Sequence, residues 1–153
     1  MSISLNSGFK FCTLLMCFLI SACTSIVPLQ SMELINSLPE IEPKVELESV
    51  PFYEQPGFQG APAAMAIMIN HHGKEATLEQ LIPQIYVPEL ESSSYREMLA
   101  AANFHDLLAI EQDGKLESIL REIARGNPVL VKQDLGFSRY PVLHYAVVIG
   151  YDL

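Results

Sequence analysis

No cysteine follows Cys23. The sulfurs of this chain, Cys12, Cys17 and Cys23, all fall within the first 23 of its 153 residues. This distribution excludes a disulfide or a thiolate-held zinc anywhere downstream. Basic charge is scarce as well, with 9 Lys plus Arg against 18 Asp plus Glu. Phosphate recognition needs clustered cations, and no basic stripe occurs, so nucleic acid is excluded as a partner. The acidity itself implies no more than solubility. Also missing is an apolar run long enough to span a bilayer, roughly 20 residues. There is no internal repeat and no low-complexity tract. No pattern points to a metal, nucleotide or flavin, so no cofactor is expected. His71 and His72 are adjacent, and on a helix they diverge by about 100°, which prevents them from sharing a metal. They read as helix-end residues that favour the C-terminal dipole. His105, beside Asp106, reads as a surface polar residue, and Asp113-Gly114 as a turn that lacks the spaced carboxylates of a calcium loop.

Half of the residues are hydrophobic, enough for one folded domain once a leader is set aside. Residues 1–22 read as a secretory leader: Lys10 supplies a positive start, and residues 11–20 form a short apolar run. Ile20-Ser21-Ala22-Cys23 then resembles a bacterial lipobox, in which two small residues precede the cysteine that takes a diacylglyceryl group. The resemblance implies a membrane anchor on Cys23. Each buried acyl methylene contributes about 0.8 kcal/mol, so two or three chains hold a protein on a membrane. Thr24 rather than aspartate follows the cysteine, which directs the expectation to the outer membrane of a Gram-negative cell envelope. The alternative is an ordinary secretory signal cleaved near Ala22. Residues 23–49 read as the acylated cysteine and a flexible tether. Pro28, Pro39 and Pro43 interrupt helical continuity there, and the acids Glu33, Glu40, Glu42, Glu46 and Glu48 keep the segment extended. A short helix near Ser31 and Ser37 is compatible with this.

From Val50 onward the pattern is that of a domain, residues 50–153. Pro62 suits the first turn of a helix, where its missing N–H is unneeded. Residues 63–72 continue with Ala, Met and Ile, and Gly73 stops them. This stretch is apolar all round and should be buried, with Met65 and Met68 as core filler. Thr77-Leu78-Glu79-Gln80 is a capping box opening a helix that stops before Pro83. Ser94-Tyr95-Arg96-Glu97 is a second box. Leu116, Ile119, Leu120 and Ile123 recur at helical spacing up to Gly126. Residues 128–133 read as one strand and residues 144–152 as a second, longer one, rich in Val and Ile and bounded by Gly150. Helices first and strands late give an α+β fold with segregated layers.

A reactive centre can be sought at the start of the buried helix. A thiolate there is stabilised by the helix dipole and by a nearby histidinium. The segment Gln59-Gly60-Ala61-Pro62-Ala63-Ala64 has the required setting, yet Gly60 has no side chain. No Ser, Thr or Cys occurs between Gly60 and Gly73 to take over. Gln55 lies five residues upstream in a Pro-Gly loop, and His144 opens an apolar strand. These segments, with Val50-Pro51-Phe52-Tyr53, Gly126-Asn127-Pro128-Val129-Leu130-Val131 and the run from His144 to Asp152, resemble the double-glycine, bacteriocin-processing cysteine peptidases, family thirty-nine of the cysteine class. The likeness is to its lipoprotein-type relatives.

The resemblance implies a papain-like fold, with N-terminal helices packed on a C-terminal antiparallel sheet that is cut short. It implies Gln55 at the oxyanion position, Gly60 at the vacated nucleophile position and His144 at the general-base position. Asp152 is close to His144 in sequence but lies beyond a turn and is not assigned the role of orienting it. The implied function is a pseudopeptidase on a lipid anchor that binds an extended peptide. Alternatives are a decayed or truncated relative without activity, and a peptidase that uses a different nucleophile.

Overall fold

The computed structural model describes residues 29–53, 60–90, 92–136 and 139–153. Gln55 and Cys23 lie outside the described residues. The chain divides into two compact units, residues 1–37 and 38–153. The described part of the first unit is one helix, α1 (Leu29–Asn36), with Leu29, Met32 and Ile35 exposed. Ser37 closes it by donating its N–H to Glu33 O at 3.0 Å. Among the described residues no helix is long and apolar enough to cross a membrane.

The second unit is α+β. In chain order it contains β1 (Lys44–Glu46), α2 (Gly60–His71), α3 (Leu78–Ile85), β2 (Tyr86–Val87), β3 (Ser92–Ser93), α4 (Tyr95–Phe104), α5 (Leu116–Ala124), β4 (Val129–Asp134), β5 (Leu143–Val148) and β6 (Gly150–Asp152). Every strand pair is antiparallel: β1 with β6, β2 with β3, and β4 with β5. The segment expected to be tether therefore contributes a strand, and the compact unit begins at Leu38, upstream of Val50.

The helix α2 is the centre of the core. Ala, Met and Ile favour the helix, and Pro62 sits in the first turn without costing a bond. Burial runs around its whole circumference, from Ala61 through Ile67 and Ile69. Its end is a left-handed cap. Gly73 has φ +73°, which costs a glycine nothing, and the Lys74 N–H turns back to Ile69 O at 3.2 Å. Asn70 then ties the outgoing chain to the helix, donating to both Ala66 O and Ala76 O at 2.8 Å.

The first expected capping box forms: Gln80 N–H donates to Thr77 Oγ1 at 3.3 Å, and Thr77 N–H donates to Gln80 Oε1 at 3.0 Å. The stop before Pro83 does not occur, because α3 continues through Pro83 to Ile85. Proline removes one helical bond so close to the end, while Leu81 and Ile85 are both fully buried and hold the turn against the core. The second expected box does not form either. Ser94 is the N-cap of α4, but its side chain makes no capping bond. Beyond the His105 cap of α4, Asp106 has φ +57° and Leu107 N–H is bonded to Ala102 O at 2.9 Å. At α5, Leu120 and Ile123 face inward as their spacing indicates.

The two late strands pair in the register Leu130↔Val147, Lys132↔Tyr145 and Gln133↔His144. Tyr145 belongs to the core cluster built by α2, α3 and α4, and the partly buried Leu130 and Val147 pack against it. The run expected as one strand is split at Ile149 into β5 and β6, which pair with different partners. Gly150 permits the split: a Cβ there would lie 2.6 Å from Val45 O, so only glycine lets β1 approach.

Candidate functional site

Gly60 is the first residue of α2 and is half-exposed. The next residue, Ala61, is buried in the core cluster. The first turn of the helix presents backbone N–H groups without intrahelical partners, at the positive end of the dipole. No side chain is present at Gly60 to use that field.

His144 is the second residue of β5 and is half-buried. The helix α2 packs against β5, which brings together the elements that carry Gly60 and His144. Ala61 and Tyr145, their immediate neighbours, belong to one buried cluster. Side chains alternate across a strand, so His144 points to the face opposite Tyr145. It shares that face with Gln133, its register partner, and with Ala146 and Val148. The structure thus joins the two elements, and describes no direct contact between Gly60 and the imidazole.

Asp152 is engaged elsewhere. Lys44 Nζ donates to its Oδ2 at 2.7 Å across the β1–β6 pair. The Lys44 ammonium is held above its ordinary pKa by that hydrogen bond and the charge of Asp152. The carboxylate accordingly braces β1 and does not orient His144.

Tyr145 is the residue that sequence reasoning passed over. It is 6% exposed, and its hydroxyl donates to Ser93 O at 3.1 Å. Burial pushes its phenol above the usual tyrosine range. The bond joins the strand of His144 to β3, across 52 residues of sequence. The available signal was the two-residue period of β5: an aromatic side chain next to an outward histidine must face the core.

His105 also departs from expectation. It caps α4, is half-buried, and its Nε2 is enclosed without a partner among the described residues. The left-handed turn at Asp106 folds the chain back over the helix end, a local closure with Leu107 N–H bonded to Ala102 O. His71 and His72 do stand at a helix end. Their rings meet edge to face at 5.2 Å, and His72 Nδ1 lies 2.8 Å from Met68 O. Asp113-Gly114 is a turn, with Lys115 N–H donating to Asp113 Oδ1 at 3.2 Å. Among the described residues no group of His, Cys, Asp and Glu is arranged to hold a metal.

A surface depression of about 820 Å³ is lined by Tyr53, Asn70, Glu75, Thr77, Glu79 and Gln80. These residues flank the C-terminal end of α2 and the start of α3. The helix has 12 residues, so roughly 18 Å of helix axis separates this depression from Gly60. The two features are therefore distinct.

A model described as the Peptidase_C39 like family matches residues 47–153, more than half of the chain. No curated protein and no solved structure matches it.

Proposed function

Because the chain belongs to the Peptidase_C39 like family, we propose that it is a lipid-anchored envelope protein whose peptidase-type domain binds an extended peptide without cleaving it. One observation carries this reading: the buried helix that should present a nucleophile starts with Gly60. Loss of the covalent nucleophile from a catalytic triad lowers turnover by roughly a millionfold. What remains is a binding apparatus. The start of α2, where Gly60 is half-exposed at the positive end of the dipole, suits a peptide carbonyl. Small residues, Gly60 and Ala61, leave that approach open. Gln55 would supply a further amide donor, and His144 would flank the bound chain. Attachment through Cys23 rests on the Ile20-Ser21-Ala22-Cys23 pattern, and the outer membrane on Thr24 after it.

The experiment uses the Gly60→Cys chain beside wild type. Wild type binds a fluorescent peptide ending in double glycine and leaves it intact. The introduced thiol reacts with iodoacetamide at mildly acidic pH at least about tenfold faster than a free thiol, because the dipole and His144 favour the thiolate. His144→Ala lowers that advantage to the part the helix dipole supplies. Cleavage by wild type, or ordinary reactivity of the introduced thiol, would overturn the reading.

A further inference from the structure

The strand β1 docks on the domain in the way a peptide ligand docks. None of its side chains is buried: Lys44 and Glu46 are exposed and Val45 is half-buried. Its main hold is through the backbone, beside a contact with α5 that β6 shares. The register runs Lys44↔Asp152, Val45↔Tyr151 and Glu46↔Gly150. Leu47 N–H donates to Ile149 O at 2.8 Å, and Leu153 N–H donates to Pro43 O at 2.9 Å. Tyr151 adds a bond from its hydroxyl to Glu42 O at 2.9 Å. The Lys44–Asp152 ion pair is open to water on both sides, at 67% and 69% side-chain exposure, so it favours one register and adds little affinity.

The receiving strand is built for this approach. A Cβ on residue 150 would meet Val45 O at 2.6 Å and Glu46 Cα at 3.2 Å. The strand β6 also packs against α5, so its position does not depend on β1 alone. The docked segment lies just before residue 47, where the family match begins. Without it, β6 would present a row of unpaired N–H and C=O groups, the kind of edge that recruits an extended strand.

We propose that the edge of β6 is a second peptide-binding site, an acceptor for one extended strand, and that residues 42–47 occupy it in cis. Its ligand class is an extended peptide with a basic residue opposite Asp152 and no bulk demanded elsewhere, because recognition runs through the backbone. Covalent connection gives the resident strand a high effective concentration, which is why three residues suffice to keep it seated. The site is separate from the start of α2 and stands whether or not the reading of Gly60 does.

The test uses the full chain and a fluorescein-labelled synthetic peptide with the sequence of residues 42–48. Val45 lies in a hydrogen-bonded pair with Tyr151, two residues from the bonded Leu47, so Val45→Pro deletes a needed N–H and releases β1. By fluorescence anisotropy the Val45→Pro chain binds the peptide at least about tenfold more tightly than wild type, whose site is filled. Adding Gly150→Val abolishes that binding, and a peptide with glutamate at the Lys44 position binds less tightly. Hydrogen exchange of α2, α3 and α4 stays as in wild type throughout. Equal binding to wild type and Val45→Pro, or binding that survives Gly150→Val, would overturn the proposal. So would loss of protection across the helices in Val45→Pro, because β1 would then be a member of the core.

Discussion

The helix α2 and the strand β1 are held in place by opposite means. In α2 the side chains do the holding: Ala63, Ala64, Ala66 and Ile69 are fully buried, and most of the helix lies inside the core. In β1 no side chain is buried, and the backbone does the holding. Apolar burial is cooperative because each core residue is packed against several others. A three-residue ladder is local and can open by itself. The difference teaches where this molecule is rigid and where it is able to exchange partners. The elements that carry Gly60 and His144 belong to the rigid part, and the proposed acceptor edge to the other.

The hardest blow to this contrast falls on α2. Ile69→Ala removes a fully buried side chain next to Asn70 and the helix cap. It should cost about 2–5 kcal/mol, read as a lower urea midpoint with an unchanged m-value. A loss confined to local exchange near α2 would show that the core is not one cooperative unit.

A smaller effect tests the junction between the helical layer and the sheet. Tyr145→Phe deletes the bond to Ser93 O and should cost about 1 kcal/mol at neutral pH. The pH dependence has a defined sign. The folded pKa of Tyr145 is raised above its unfolded value by burial, so the folded state holds the phenol proton more tightly. The resulting stability is present below the unfolded tyrosine pKa and is lost as pH rises through the folded one. Wild type should therefore lose stability on the alkaline side, and Tyr145→Phe should flatten that part of the curve. Chemical denaturation across the alkaline range measures both.

The mildest change concerns backbone alone. Asp106 holds a left-handed conformation, φ +57°, at the position where α2 uses Gly73. Asp106→Gly should relieve a strain of about 1 kcal/mol, partly offset by the greater freedom of the unfolded glycine. The Lys74–Asp106 pair, at 3.6 Å and 86% exposed on the acid, contributes too little to reverse the sign. A Tm shifted slightly upward is the expected outcome.

Much of the helical layer was legible from the residues. Thr77 and Gln80 announce a box that forms, and Gly73 and Gly126 stop their helices in the left-handed region. Ser94 and Glu97 have the same letters and make no box, because a capping pattern states a capacity that the surroundings of the helix end must allow. Pro83 looked like a stop and was carried through by the burial of its neighbours. The strand at Lys44–Glu46 gave only a faint signal: Lys44-Val45-Glu46-Leu47-Glu48 alternates polar and apolar, but so short a run among prolines and acids reads equally as extended tether. Of the candidate site, Gly60 and His144 fall on α2 and β5, on elements that pack together. Gln55 and Cys23 lie outside the described residues.

The sequence by itself determined that α2 and α5 stop at Gly73 and Gly126, that α2 is largely apolar, and that no sulfur stands at its start. Those properties belong to neighbouring residues and need no partner. Only the tertiary structure decided that β1 returns to β6, that the last strand breaks at Ile149, and that Tyr145 reaches Ser93 O on β3. The physical reason is distance along the chain. Lys44 and Asp152 are 108 residues apart, and a pairing at that separation is set by which edges the folded core leaves open.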